Sequence, residues 1–157
     1  MFVSPDWDNA LTGRPFYSGR RTKAYAQSGK SVTNGQWTSY FMASEKGNPL
    51  LRFIYEGLKE CYLRAEKIEE YYTMDYLFAL AMNCSDEIRR MVGAVPEIDA
   101  DLFSLEPALD ALWDARAFER FMHAAPFFKL NHRVAHPLTD GHGRDTLFGH
   151  LCRQYGL

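Results

Sequence analysis

The sequence predicts an α/β protein, mostly helical with a few strands. Three observations carry that expectation. Apolar residues recur at helical spacing over Leu50–Arg64, Tyr72–Met82 and Asp145–Tyr155. Two short aromatic stretches, Trp37–Ser44 and Phe127–Asn131, have the composition of strands. Of the 157 residues, 46% are hydrophobic, enough for a packed core, and no internal repeat or low-complexity segment interrupts them.

In order, residues 1–36 form a loop-rich entry with short strands, rich in Gly, Ser, Pro, Asn and Thr. Met1–Ser4 looks like the end of a strand. A compact domain seldom opens on so long a loop region, so the chain is expected to be part of something longer. Trp37 to Ser44 reads as one strand. Asn48 then suits a helix N-cap and Pro49 the first helical position, where its missing N–H costs nothing. Leu51, Ile54, Leu58 and Cys61 share one face of the helix that follows. Glu66–Glu70 is a charged joint. The helix over Tyr72–Met82 is apolar enough to predict burial on most sides. Ser85 caps a short helix over Asp86–Val92, with acids first and Arg89 and Arg90 last, as the helix dipole prefers. Residues 97–107 are acidic and loop-like. Pro107–Trp113 and Asp114–His123 read as short helices, Phe127–Asn131 as a strand, and His136–Gly143 as a loop. A final amphipathic helix spans Asp145–Tyr155.

Composition narrows the partners. A net charge of −2 does not suit a nucleic-acid binder, which normally carries a basic patch. No apolar run approaches the roughly 18 residues that cross a bilayer, and the first residues lack the pattern of a signal peptide. Three cysteines, Cys61, Cys84 and Cys152, with no Cys-x-x-Cys spacing fit reduced thiols and a cytoplasmic setting. Aromatic residues at 15% point to a thick core or a ring-floored pocket of the kind that binds sugars.

Several groups are candidates for chemistry. Asp75 lies in an apolar helix between Tyr72, Tyr76 and Phe78. A buried acid must be paired or hydrogen-bonded, and such carboxylates concentrate at functional sites. The plainer alternative is an acid that caps a loop or pairs with an arginine. Asp6-Trp7-Asp8 has a spacing by which two carboxylates share a divalent cation, although Asp and Pro beside a turn are ordinary turn chemistry. His142 sits between Gly141 and Gly143, where the backbone can approach a ligand, and Arg144 beside it can meet a phosphate. Lys129 follows Phe127-Phe128 and is within reach of a phosphate, or it snorkels to water. His132 and His136 are four apart, but Pro137 speaks against the helix that zinc binding would need. No P-loop, Gly-x-Ser-x-Gly or Gly-x-Gly-x-x-Gly is present.

Four segments in order resemble the capsular polysaccharide synthesis protein family, glycosyltransferases related to the Asp-x-Asp sugar transferases. They are Gly35-Gln36-Trp37-Thr38-Ser39-Tyr40-Phe41-Met42-Ala43, Lys46-Gly47-Asn48-Pro49-Leu50, Tyr71-Tyr72-Thr73-Met74-Asp75-Tyr76 and Ala125-Pro126-Phe127-Phe128-Lys129-Leu130. The resemblance covers roughly residues 1–134. It implies the C-terminal half of a GT-A type, Rossmann-like fold and a hexosyltransferase activity on a nucleotide-sugar donor, with a glycan or lipid-linked acceptor. It also implies that the donor-side units and the acidic motif for a divalent Mn or Mg ion would precede Met1, so that no metal ligand lies in this chain. Asp6-Trp7-Asp8 is then not that motif.

The function these readings imply is sugar transfer in capsular or surface polysaccharide assembly, with this chain inactive alone if it is a truncated half, without a membrane span and with a peripheral membrane location compatible. Asp75 is the acid nearest the sugars, as base or acceptor-orienting group. Trp37, Tyr40 and Tyr72 are expected to contact sugar, and Lys129 and His142 the diphosphate. The alternative is a non-catalytic interaction domain or remnant of such an enzyme.

Overall fold

The structure is a computed structural model that describes residues 1–4, 7–25, 32–65 and 72–156. In chain order the elements begin with β1 (Phe2–Val3), α1 (Trp7–Leu11), β2 (Phe16–Ser18), α2 (Thr22–Tyr25) and β3 (Met42–Ser44). Next come α3 (Pro49–Arg64), α4 (Thr73–Cys84) and α5 (Asp86–Gly93). The last are α6 (Leu105–Ala108), α7 (Ala115–Ala124), β4 (Phe127–Phe128) and α8 (Leu147–Tyr155). The mixture of helix and sheet fits the α/β expectation. The chain divides into two compact units, Leu11–Ile98 and Met1–Ala10 with Asp99–Leu157. No helix among the described residues is long and apolar enough to cross a membrane.

In Leu11–Ile98, β2 pairs antiparallel with β3, Phe16 opposite Ser44 and Ser18 opposite Met42. Helix α3 packs on α4, α4 on α5, and α5 on β2. Helix α3 starts where local chemistry dictates. The Asn48 side chain accepts hydrogen bonds from the Leu50 and Leu51 N–H groups at 3.0 and 3.4 Å, and Pro49 occupies the first turn. Asn48 Nδ2 also donates to the Pro15 carbonyl at 2.8 Å, which ties the cap to the chain before β2. Gly57 lets α4 come close: a Cβ there would meet Leu77 Cδ2 at 2.7 Å. Ser85 caps α5 through the Ile88 N–H. Arg20 donates to the Gly93 and Val95 carbonyls at 2.7 and 2.9 Å and so satisfies the other end of α5. The core here is Phe16, Trp37, Leu50, Ile54, Phe78, Ala81, Val92 and Val95.

In the second unit, β1 pairs antiparallel with β4, Phe2 opposite Phe128. Phe127, Phe128, Leu102, Leu105, Leu109, Leu147 and Leu151 form its core. Asp114 caps α7 through the Ala117 N–H and Thr146 caps α8 through the Gly149 N–H. That backbone hydrogen bond from Ala117 holds the Asp114 carboxyl below its usual range. Gly149 has no room for a side chain, since a Cβ would lie 1.8 Å from the Leu138 carbonyl oxygen.

Four predicted elements differ from what the structure holds. Trp37–Ser44 is not one strand; only Met42–Ser44 pairs, and Ser39–Tyr40 is a turn. The reason is that Ser18 gathers this segment around itself. Its Oγ accepts from the Thr38 N–H at 2.9 Å and lies 3.0 Å from the Phe41 carbonyl, and the Gly19 N–H donates to Thr38 Oγ1. Helix α4 is buried on one face rather than on most sides, with Tyr76 51% and Leu80 48% exposed. A helical turn begins earlier than Pro107, at Leu105, and residues 109–113 leave it to bridge Leu112 to Thr146. The strand after Pro126 stops at Phe128, where the Lys129 N–H turns to the Leu102 carbonyl at 2.8 Å. The charged joint Glu66–Glu70, Tyr71 and Asp6 lie outside the described residues.

Candidate functional site

Asp75 is buried, 6% exposed, in the first turn of α4. Its carboxylate Oδ1 accepts the Trp37 indole N–H at 2.8 Å. Trp37, 3% exposed, also stacks on Phe78 with ring centroids 4.2 Å apart and planes 11° from parallel. Asp75 and Phe78 are three apart on α4 and therefore on one face. One indole thus meets both of them, its edge at the acid and its plane on the ring. Phe16 adds a second contact to Phe78 at 5.7 Å. The carboxylate makes no ion pair with any described residue, so an acid sits in apolar surroundings with one neutral donor.

Two of the predicted site residues, Trp37 and Asp75, therefore come together. The plane of Trp37 is occupied by Phe78, and the ring serves the acid rather than an open surface. Tyr40 is half-buried in the turn before β3. Tyr72 is 54% exposed at the start of α4, with exposed Tyr76 one turn on.

Lys129 and His142 belong to the other unit. Lys129 lines a groove of about 540 Å³ with Phe103, Glu106, His132, Arg133 and Val134. Lys129 and Arg133 bring positive charge to the groove and Glu106 a negative charge. His142 is exposed in a loop closed by Asp140, whose Oδ1 accepts the His142 and Arg144 N–H groups at 2.9 Å each. The Arg144 guanidinium binds Asp140 Oδ2 through two donors, at 2.9 and 2.7 Å. The Arg144 backbone hydrogen bond, first among these, holds the Asp140 carboxyl below its usual range. Arg144 is thus engaged by its own loop, with both donors on one carboxylate oxygen.

Sequence reasoning missed a cluster beside that groove. The His136 side chain is 7% exposed, with Nδ1 2.7 Å from Asp110 Oδ1. On the ring's other side, Nε2 lies 3.4 Å from Glu106 Oε1 without hydrogen-bond alignment. Glu106 Oε2 accepts the Asn131 N–H at 2.7 Å, which anchors the turn carrying His132 and Arg133. The four-residue spacing of His132 and His136 was the only local signal, and Pro137 spoke against the helix that such a pair would need. Among the described residues no group of three or more His, Cys, Asp or Glu side chains is placed to hold a metal ion. Asp110 and Glu106 flank opposite edges of the imidazole and cannot converge on one cation.

The family model of the capsular polysaccharide synthesis proteins matches residues 1–151. No curated protein and no solved structure matches the chain. The match spans nearly the whole chain, and the chain belongs to that family.

Proposed function

From membership in the capsular polysaccharide synthesis family, we propose that the chain acts as a glycosyltransferase. It moves a sugar from a nucleotide-sugar donor to a glycan or lipid-linked acceptor, on a scaffold related to the GT-A folds. The observation that carries this reading is the buried Asp75 carboxylate, fixed by the Trp37 indole and lacking a cationic partner among the described residues. Sugar transfer needs an acceptor hydroxyl to be oriented and, for inversion, deprotonated as it attacks the anomeric carbon. A carboxylate with one oxygen held by a neutral donor keeps its second oxygen for that hydroxyl. Trp37 is then a positioning residue for Asp75, and Tyr40 and Tyr72 are the tyrosines proposed to contact the sugar.

The departing nucleoside diphosphate gains negative charge, which cations stabilise. Lys129 and His142, both in the unit that holds Asp99–Leu157, are the candidates for that charge. A divalent Mn or Mg ion would add to that stabilisation, but the described residues provide no donor set for one, and no step here passes through it.

The test is nucleotide release and product formation by the 157-residue chain with a panel of nucleotide sugars, with and without Mn²⁺. Turnover that falls at least a hundredfold in Asp75→Asn, with an unchanged circular dichroism spectrum, is the expected outcome. Full activity in that variant removes Asp75 from the reaction. Turnover from any donor overturns the alternative, a non-catalytic interaction domain or remnant of such an enzyme.

A further inference from the structure

We propose that the cleft between α7 and α8 is a glycan-binding subsite that takes a pyranose-based oligosaccharide. The proposal rests on the sugar-transferase reading, for which it supplies an acceptor subsite. The cleft lies within the unit that contains Asp99–Leu157; it is shallow and open to solvent, with a volume of about 800 Å³.

Its floor is aromatic. The Trp113 indole stacks on the His150 imidazole with centroids 3.6 Å apart and planes 7° from parallel. Phe118 leans against Trp113 at 5.5 Å and 52°. From α7, Phe118 and Met122 fall one turn apart on the cleft side. Helix α7 buries none of its residues completely, so this apolar surface stays accessible.

The rim is polar and faces solvent. The Trp113 indole N–H, the Glu119 carboxylate, the His150 ring nitrogens and the Gln154 amide make no hydrogen bond or ion pair with any described residue. Arg153, also on the rim, is paired with Asp145. This combination selects the occupant. An acyl chain or an apolar helix would bury these polar groups unpaired, at about 1–3 kcal/mol each. A phosphate would face the Glu119 carboxylate and find the one guanidinium already engaged. A pyranose ring presents a face of C–H bonds to an aromatic floor and adjacent hydroxyls to its edge. A carboxylate or amide can bond two such hydroxyls at once.

The experiment measures glycan binding directly, without donor. The chain is titrated against oligosaccharides of three to six rings built from neutral hexoses, hexosamines or uronic acids. Wild type is expected to bind at least one of them. Trp113→Ala should weaken that binding about tenfold or more. The exposed changes Glu119→Gln and Gln154→Ala should weaken it severalfold while the circular dichroism spectrum stays unchanged. Absence of binding across the panel overturns the proposal, as does binding that these three variants leave intact. Self-association or vesicle binding lost in the same variants would assign the cleft to another occupant and overturn it too. Glycan binding without turnover supports the subsite by itself. Turnover whose acceptor KM none of the variants changes sinks the subsite alone.

Discussion

Trp37→Phe removes one hydrogen bond and little else. The phenyl ring can keep the stack on Phe78, but nothing replaces the N–H that meets Asp75 Oδ1 at 2.8 Å. Both partners are at least nine-tenths buried, so water does not restore the lost bond. A hydrogen bond to a charged group contributes about 1.5–3 kcal/mol, and the smaller ring leaves a gap besides. The total for Trp37→Phe is about 3 kcal/mol. For a chain of this length each kcal/mol lowers Tm by roughly 2–4 °C, so a fall of about 6–12 °C is expected. A double-mutant cycle with Asp75→Ala isolates the bond from the packing. Unfolding in urea, followed by far-ultraviolet circular dichroism so that loss of the indole does not change the probe, should give a coupling of about 1.5–3 kcal/mol. A coupling below about 0.5 kcal/mol would refute the claim that the indole holds the acid, since that is the level of additivity between independent sites.

Three other perturbations test the frame around the candidate site. Asn48→Ala should cost about 1–2 kcal/mol in urea unfolding. Asn48→Asp should do no better, although it keeps the capping acceptor, because it sets a carboxylate oxygen against the Pro15 carbonyl. Gly149→Ala should cost more than about 3 kcal/mol or abolish soluble expression, since backbone atoms of Leu138 occupy the space its methyl needs. Asp140 has a folded-state pKa below its unfolded one, so its contribution to stability is full above about pH 4 and is lost as pH falls through the lower folded value. Asp140→Asn should therefore flatten the acid limb of a plot of Tm against pH, and an unchanged limb would count against the loop pairing.

Much of the helical frame was legible. Asn48-Pro49, Ser85 and Asp114 mark helix starts in the sequence, and each performs as a cap. Their partners lie two or three residues away, so the information is local. The failed strand over Trp37–Tyr40 shows the limit. Its composition suited a strand, yet Ser18, some twenty residues earlier, offers its backbone other hydrogen bonds, and Trp37 points to an acid that no neighbouring residue predicts. The Glu106–His136–Asp110 cluster was invisible for the same reason, its members being 26 and 30 positions apart.

The sequence alone determined that Asp75 needs a partner, because a carboxylate on the apolar face of a helix cannot be left without one. It determined the helix starts and the polysaccharide-synthesis family through short-range capping and ordered motifs. Only the tertiary structure decided that the partner is Trp37, 38 residues away, and that its ring is committed to Asp75 and Phe78. Spacing along a helix follows from its pitch, but the pairing of distant side chains depends on how helices and strands pack, which no local pattern encodes.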